Sequence, residues 1–462
     1  MLVGVAAGHP ATVDAGFEIL ASGGSAADAA VAASLASCVA ETLMTGLLGG
    51  GHAIYWSAAR REARLLDCFV SVPGLGAQPS EPELLRLEVP FGAELVHYAV
   101  GPASCAVPGL PAGLDALWRL HGRLSWETLV EPALRLARHG VELPPAHASC
   151  LAMLAPVMTM NEGAALHMRG GRLLTAGEVL EQPGLVTALE LVADEGANSV
   201  YAGTIRARLL ELMDERGGLV TADDLDAYRA VWLEPVEVGR DGRRHLTRAG
   251  LSGVPDLLAR LPRLSGLSAP ARVVTLVDAL GEQPAAAEGH TTNLVVADAD
   301  GNVCVLTTSL GLGSGDWLPG LDLHLNSMLG ETDLVRSPLE PGVRMESMMA
   351  PTLALEGDGV ALAIGAAGGT RLRTALVGVV AGVLDEGLGP AEAVERPRFH
   401  PAAGVVNAEP GVDEGGLALL ERRGWSVRRW QARHHYFGGV SLIAPSGAAG
   451  DPRRSGGAQT LL

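Results

Sequence analysis

The sequence predicts an α+β fold in which helices cover a double layer of β-sheet. Helical apolar spacing dominates residues 108–230, whereas the chain after residue 291 carries strand patterns. A helix returns at 372–384, directly after a glycine-rich turn. Since each helix or sheet must bury one apolar face, this succession of helices, strands and helices is typical of stacked layers.

Local signals justify the individual elements. Ser25 is a favourable N-cap for an alanine-rich helix over 26–40, whose small side chains permit close packing against a sheet. Further helices with apolar faces are predicted at 112–121, 126–139, 185–195 and 204–216. Strands are predicted at 52–56, 63–69, 291–297, 303–309, 352–355 and 360–364, with tight turns at 298–302 and 357–359. Residues 236–290 carry the weakest signals, and 284–289 are expected to form an exposed linker.

Composition narrows the function classes. A length of 462 residues alone suggests about three domains, although one large layered domain can absorb it. The net charge of −18 argues against binding to nucleic acid or to an anionic membrane. The sequence contains no lysine, which excludes a Walker A lysine and a Schiff base. Its five cysteines are scattered and lack a Cys-x-x-Cys pair, so neither a disulfide framework nor a metal site is expected, and no cofactor is predicted.

The N-terminal part of the sequence shows no sign of export or membrane insertion. It lacks a basic segment followed by a long apolar one. The apolar stretch 26–48 contains Asp28 and Glu41 and ends near a run of glycines, which predicts a buried helix instead of a membrane span. We therefore expect a cytoplasmic protein.

Thr291 opens the first hairpin of the strand-rich part. A threonine hydroxyl is a weak nucleophile unless a base lies beside it. If the chain were cut before Thr291, the new α-amine, with a pKa of about 7.7–8.0, would be that base. The alternative is that Thr291 simply begins a strand, where threonine is common.

Two further features fit a nucleophile at Thr291. Ser309 ends the return strand, so it is expected within reach of the Thr291 hydroxyl or amine. Gly368 and Gly369 lie where a strand passes into a helix, and backbone N–H groups at such a place form a natural oxyanion hole. The alternatives are a strand-end serine in a turn and a glycine turn that only joins two elements. The Gly-x-Ser-x-Gly and Gly-x-Gly-x-x-Gly motifs of rival enzyme classes are absent.

Short motifs occur in a fixed order along most of the chain. They are 23–32 (GGSAADAAVA), 44–51 (MTGLLGGG), 107–109 (VPG), 223–225 (DDL), 291–292 (TT), 350–352 (APT), 368–371 (GGTR) and 451–454 (DPRR). In this order and number they resemble the γ-glutamyltranspeptidases, or glutathione hydrolases, which are N-terminal-nucleophile hydrolases.

The resemblance implies a four-layer αββα sandwich, formed by residues 1–462 as a single domain. It implies a precursor that cleaves itself between His290 and Thr291, with the large segment 1–290 and the small segment 291–462 staying together. Thr291 would be the nucleophile and, through its amine, the base. Ser309 matches a threonine that assists the nucleophile, and Gly368 and Gly369 match the oxyanion-hole glycines.

The resemblance also places the substrate-binding residues at Phe69, Asn326, Glu331 and Ser347, and here the sequence departs from the family. Phe69 stands where the family has an arginine that clamps the α-carboxylate of glutamate, and a phenyl ring cannot donate hydrogen bonds to a carboxylate. Glu331 retains a carboxyl group for the substrate's amine. The other departures are Gly311 for an asparagine, Met328 for a polar contact and Met348 for the second of two serines.

Arginines elsewhere are candidates for binding an acidic group. Arg344, three residues before Ser347, is a candidate replacement for the missing clamp. Arg453 and Arg454 are expected instead to pair with carboxylates inside the fold.

These observations lead to one main hypothesis and two alternatives. The main hypothesis is a self-processed threonine hydrolase or transferase that cleaves a γ-glutamyl or related amide bond of a small molecule, with water or an amine as acceptor. One alternative is an amide acylase for a more apolar acyl group, as in related β-lactam acylases. The other is an uncleaved, inactive relative that acts as a binding protein.

Overall fold

The computed structural model describes residues 2–77, 83–91, 94–281, 290–335 and 338–461. The predicted linker 284–289 lies outside these residues. The helices are α1 (Pro10–Ala21), α2 (Ala26–Ala40), α3 (Leu110–His121), α4 (Trp126–His139), α5 (Pro145–Met158), α6 (Gly163–His167), α7 (Pro183–Glu195), α8 (Asn198–Tyr201), α9 (Thr204–Arg216), α10 (Ala222–Ala227), α11 (Val254–Arg260), α12 (Ala269–Leu280), α13 (Leu372–Leu384), α14 (Pro390–Glu395) and α15 (Glu414–Arg422).

The strands lie between these helices along the chain, often several in succession. They are β1 (Gly4–Ala7), β2 (Gly50–Ser57), β3 (Glu62–Cys68), β4 (Leu85–Phe91), β5 (Glu94–Val100), β6 (Val141–Glu142), β7 (Met168–Arg169), β8 (Arg172–Leu173), β9 (Val179–Leu180), β10 (Val231–Leu233), β11 (Val236–Arg240), β12 (Arg243–Thr247), β13 (Thr291–Ala297), β14 (Val303–Ser309), β15 (Trp317–Leu318), β16 (Leu323–His324), β17 (Thr352–Glu356), β18 (Gly359–Ala367), β19 (Phe399–Ala402), β20 (Val405–Ala408), β21 (Ser426–Arg429), β22 (Gly439–Ala444), β23 (Gly447–Gly450) and β24 (Gly457–Thr460).

Two antiparallel sheets form the centre of the fold. The first has the order β10-β3-β2-β14-β13-β1-β24, and the second has the order β11-β12-β17-β18-β22-β23. Their facing sides bury an apolar layer that includes Ile54, Val295, Val305, Leu353 and Ile443. The predicted double layer of sheet is confirmed.

Helices cover the outer side of each sheet. Helices α1 and α2 lie against the first sheet, and α13 lies against β18 of the second. Each helical layer encloses its own apolar core, because the strands turn alternate side chains toward the helices. The order helix, sheet, sheet, helix confirms the predicted αββα sandwich.

Helix α2 is buried along its whole length, which explains its alanine content. It packs against α1 and α4 as well as against β13 and β14, and only small side chains allow so many close neighbours. Its start is the predicted N-cap: Ser25 Oγ accepts a hydrogen bond from the Asp28 N–H, and the Asp28 carboxylate accepts one from the Ser25 N–H. No helix within the described ranges is long and apolar enough to cross a bilayer.

The stretch with the weakest sequence signals, 236–290, is ordered over most of its described part. It supplies β11 and β12 to the edge of the second sheet, followed by α11 and α12. A buried ion pair anchors it: Arg240 Nη1 lies 2.7 Å from Asp385 Oδ1, and the Leu264 N–H also donates to the Asp385 carboxylate. A long-range contact of this kind leaves no local pattern in the sequence.

The Arg240→Ala variant should lower the free energy of unfolding by about 3–5 kcal/mol, because Asp385 would be left charged and buried without its cation. The side chains of Arg240 and Asp385 are only 5% and 1% exposed. Urea-induced unfolding followed by tryptophan fluorescence measures the change.

The matched control is Arg244→Ala, on the neighbouring strand β12. Arg244 pairs with Glu237, but both side chains are about half exposed, so the loss should stay within about 1 kcal/mol. Equal losses in the two variants would show that the buried pair has no special role in stability.

Candidate active site

The hairpin of β13 and β14 places Thr291 and Ser309 directly opposite each other in the register of the strands. Because side chains alternate along a strand, Thr291 faces the interior between the two sheets, as Val295 does. Thr292 faces the helical layer instead, where its hydroxyl donates to the carboxylate of Glu41. The structure therefore brings Thr291 and Ser309 together as the sequence predicted.

The hydroxyl of Ser309 has a different partner from the predicted one. Ser309 Oγ donates to the backbone carbonyl of His290, the residue directly before Thr291, and accepts a hydrogen bond of 2.9 Å from the Gly311 N–H. It binds neither the hydroxyl nor the nitrogen of Thr291. A hydroxyl in this place withdraws electron density from the carbonyl carbon that the Thr291 hydroxyl would attack.

Gly368 and Gly369 follow β18 at the point where the chain enters a short 3-10 turn and then α13. Gly368 has a φ of 128°, and a Cβ there would lie 2.9 Å from the Gly438 Cα, so both conformation and space require glycine. Gly369, with a φ of 54°, lines the same cleft as Thr291 and Ser309. The first N–H groups of such a turn lack partners within it, which leaves donors for an oxyanion.

A cleft with about 530 Å³ of empty volume opens at Thr291. It brings Thr291, Ser309 and Gly369 together with three of the four predicted substrate-binding residues, Phe69, Glu331 and Ser347. Most of the remaining wall is apolar and comes from Met328, Leu334, Met348, Met349 and Leu372. Among the described lining residues there is no arginine.

Asn326 is the predicted binding residue that lies outside the cleft. Its Nδ2 donates to the carbonyls of Leu48 and Ala106 at 2.9 and 2.8 Å, and its Oδ1 accepts from the N–H groups of Ala106 and Met328. All four hydrogen-bonding positions of the amide are used by backbone. The amide of Asn326 therefore holds the loop before Met328, and a role in substrate binding stays a prediction.

Phe69 and Arg344 explain why no arginine is found among the described residues that line the cleft. Phe69 is 1% exposed and stacks on the imidazole of His52 at 5.5 Å between ring centroids. Arg344 directs both guanidinium arms to backbone carbonyls, those of Phe69 and Arg229. Arg344 therefore does not replace the arginine clamp, because its donors are engaged outside the cleft.

Glu331 is a buried carboxyl group in the cleft wall. Burial, with the nearby carboxylate of Asp333 as a smaller cause, raises the pKa of Glu331 to about 8. Its Oε1 has no hydrogen-bond partner among the described residues. A Cβ at Gly311 would lie 2.5 Å from this oxygen, so the glycine at that position leaves room for the carboxyl group.

Glu41 and Arg454 border the nucleophile strand, and sequence analysis did not assign either to the site. Glu41 accepts hydrogen bonds from Thr292 and Thr12, and burial raises its pKa to about 7. Arg454 Nη1 donates to the Thr291 carbonyl at 3.3 Å. The one sequence signal that could have found Glu41 is an acid within the largely apolar stretch 26–48, which Asp28 shares.

The Glu331→Gln variant should gain stability over the wild-type protein as the pH rises. The unfolded chain loses the Glu331 proton near pH 4.5, whereas the folded chain keeps it to about pH 8. The contribution of this group to stability therefore falls between these two pH values, by up to a few kcal/mol, and glutamine has no such proton.

Unfolding free energies of both proteins between pH 4.5 and 9 measure this effect. Glu346→Gln is the control for the loss of one carboxyl group, because Glu346 is exposed. If the wild-type and Glu331→Gln profiles run parallel, Glu331 is ionised in the folded protein at neutral pH.

Comparison with known proteins finds relatives along nearly the whole chain. A family model described as Gamma-glutamyltranspeptidase matches residues 12–264 and 268–461. The chain is 28% identical over 503 residues to the Acylase ACY 1 proenzyme of Pseudomonas sp. (strain SE83), covering 95% of this chain and 89% of the relative. It is 24% identical over 505 residues to the Glutathione hydrolase proenzyme of Bacillus subtilis (strain 168), covering 91% and 84%.

Solved structures show the same fold. The cephalosporin acylase from Bacillus halodurans superposes with a TM-score of 0.82 at 22% identity, over 100% of this chain and 96% of that one. The αββα fold of this chain is thus shared with this acylase. Since the family match spans nearly the whole sequence, the chain belongs to the γ-glutamyltranspeptidase family.

Proposed function

We propose that the chain cleaves itself between His290 and Thr291 and then acts as an N-terminal threonine hydrolase or transferase on γ-glutamyl or related amide bonds. The observation that carries the proposal is the hydrogen bond from Ser309 to the His290 carbonyl, formed directly opposite Thr291. This hydrogen bond polarises the His290 carbonyl. Cleavage of the peptide bond between that carbonyl and Thr291 would release the amine of Thr291.

Self-cleavage needs only groups that the chain supplies, together with water. The Thr291 oxygen attacks the His290 carbonyl carbon, and the negative charge that develops on the carbonyl oxygen is stabilised by the Ser309 hydroxyl. The C–N bond then breaks, the hydroxyl proton passes to the leaving nitrogen, and an ester joins His290 to the Thr291 oxygen. Water hydrolyses this ester and leaves a free amine and hydroxyl on Thr291.

The cleaved residue then carries both nucleophile and base. The α-amine accepts the proton of the Thr291 hydroxyl as its oxygen attacks a substrate amide, and the Gly368 and Gly369 N–H groups stabilise the oxyanion. The leaving amine takes the proton, and water or a second amine releases the acyl group. The names of the Pseudomonas and Bacillus subtilis relatives, both proenzymes, support the processing step.

The strand order supports the expectation that segments 1–290 and 291–462 stay together. In the first sheet, β14 and β13 of the small segment lie between β2 and β1 of the large segment. In the second sheet, β12 of the large segment pairs with β17 of the small one. Separating the segments would break hydrogen bonds along several strands and expose the apolar layer between the sheets.

The Thr291→Ala variant should remain a single chain of about 47.6 kDa and show no amidase activity, because it lacks the attacking hydroxyl. The wild-type protein should yield fragments 1–290 and 291–462 on a denaturing gel. N-terminal sequencing of the smaller fragment should begin at Thr291.

Thr291→Ser is the matched control, since serine keeps a hydroxyl at the same atom position and should still cleave. A wild-type chain that stays intact after long incubation would overturn the proposal and favour the uncleaved binding protein. Cleavage of Thr291→Ala would place the nucleophile elsewhere.

The lining of the cleft favours a second candidate function, which differs in the acyl group that the enzyme accepts. Met328, Met348 and Leu334 line it, Phe69 takes the place of a cation, and Glu331 adds an acid. A substrate carboxylate would be buried there without a positive partner, a situation that typically costs several kcal/mol. An acylase for apolar acyl groups without an α-carboxylate therefore fits this wall better than a γ-glutamyl hydrolase does.

Simple acyl anilides should be cleaved with kcat/KM at least about 10-fold higher than γ-glutamyl anilide, because the latter alone buries an unpaired carboxylate. Chromogenic anilides assayed side by side measure the ratio, and the Thr291→Ala protein supplies the background rate. A clear preference for γ-glutamyl anilide would rule out the apolar acylase and keep the first candidate.

A further inference from the structure

Arg454 is a buried cation without a carboxylate beside it. It is 6% exposed, and its Nη1 donates to the Thr291 carbonyl at 3.3 Å and to Met44 Sδ at 3.2 Å. No carboxylate oxygen of the described residues lies within 4.0 Å of its guanidinium, and Nε has no hydrogen-bond partner among them. Burying a charge in this way is costly, so arginines in protein interiors are normally paired.

The neighbouring Arg453 shows the expected arrangement. Its Nε donates to Glu409 at 2.7 Å and its Nη1 to Asp451 at 3.2 Å. The prediction that both arginines pair with carboxylates is confirmed for Arg453 and wrong for Arg454. The two residues share one short 3-10 turn, so the difference arises from what each side chain faces.

Two glycines beside Arg454 leave space for its side chain. A Cβ at Gly439 would lie 2.6 Å from Arg454 Cδ, so only glycine leaves room for the stem of the side chain. A Cβ at Gly368 would lie 3.6 Å from Arg454 Nη2. The guanidinium therefore lies between the start of the nucleophile strand and the oxyanion glycines.

The other titratable groups around Thr291 come from seven separate places in the chain. They are His9 before α1, Glu41 after α2, His147 and Cys150 on α5, His290, Glu331, His435, and the paired Asp451. Burial lowers the pKa of His9 to about 4 and the pKa values of His147 and His290 to about 3. It lowers the pKa of His435 well below its usual value and raises the pKa of Cys150 to about 12.

At neutral pH these histidines and the thiol are therefore uncharged. Arg371, near the oxyanion turn, directs its Nε to the Tyr436 carbonyl at 3.2 Å. Arg454 is the cation that contacts the nucleophile residue itself. Glu41, bonded to Thr292, is an acid beside the same strand.

We propose that Arg454 is a positioning residue for the nucleophile: it fixes the start of β13 through the Thr291 carbonyl and supplies a permanent positive charge that keeps the new α-amine unprotonated. This inference rests on the proposed function. An α-amine ordinarily has a pKa of about 7.7–8.0, so most of it is protonated at neutral pH and only the smaller, unprotonated part can act as a base. A fixed cation nearby disfavours the protonated form, whereas the desolvated guanidinium itself stays charged.

The pH profile of kcat/KM tests the proposal. In Arg454→Met, the acidic limb of the profile should move upward, on the order of one pH unit, because the amine regains its proton more readily. At pH 7 the loss should appear in kcat, with KM changed less than twofold. Arg454→Lys, which keeps the charge, should move the limb by less than half as much.

Glu41→Gln is the second variant, and it is expected to shift the acidic limb in the opposite direction. Removing this acid should move the limb downward, but by less than Arg454→Met moves it upward, because Glu41, with a pKa of about 7, is only partly ionised where the amine titrates. This variant decides the question if Arg454→Met gives no cleaved protein. A limb that stays in place in either variant, with activity lowered equally at all pH values, would overturn the proposal and leave Arg454 a packing residue.

Cleavage and activity of the wild-type protein distinguish a failure of this inference from a failure of the proposed function. An uncleaved or inactive wild type would overturn the proposed function and this inference with it. A cleaved, active wild type whose variants keep the same limb would overturn the inference alone.

Discussion

The hydrogen bonds of Asn293 cross from one sheet to the other, and the arrangement of the candidate site depends on them. Asn293 Oδ1 accepts from the Ser441 N–H of β22 at 3.0 Å, and the Ser441 hydroxyl donates to the Asn293 carbonyl at 3.4 Å. Thr291 lies two residues before this bridge, and Gly369 follows β18, the direct neighbour of β22. The apolar side chains between the sheets pack without direction, whereas these hydrogen bonds join β13 to β22 at defined atoms.

Burial, as well as ion pairing, determines the charge state of the ionisable groups inside the fold. Glu331 and Glu41 are acids whose pKa values rise because water is excluded, and Arg454 is a cation that pairs with no carboxylate among the described residues. Each of these groups makes the folded state less stable than an apolar residue would. These three groups lie near the start of β13, although the paired Arg453 lies there too. This distribution is typical of a site in which stability is reduced in favour of chemistry.

Sequence alone predicted those parts of the molecule that local rules govern. The Ser25 cap, the hairpin from Thr291 to Ser309 and the glycine turn at 368–369 each depend on a few neighbouring residues. The partners of individual polar atoms were not predictable. Asn326 bonds to Ala106, 220 positions away, and Ser309 turns to a carbonyl instead of a hydroxyl, because the folded backbone decides which acceptor lies in reach.

The interleaving of β13 and β14 between β2 and β1 has a consequence for how the protein keeps its shape. As one covalent chain it folds in a unimolecular reaction, with both halves always at hand. A cut before Thr291 would make refolding a second-order encounter between two polypeptides, each lacking the middle or the flanks of a sheet. The mature assembly would then persist because it unfolds slowly, and its lifetime would be set by an unfolding rate and no longer by a folding equilibrium.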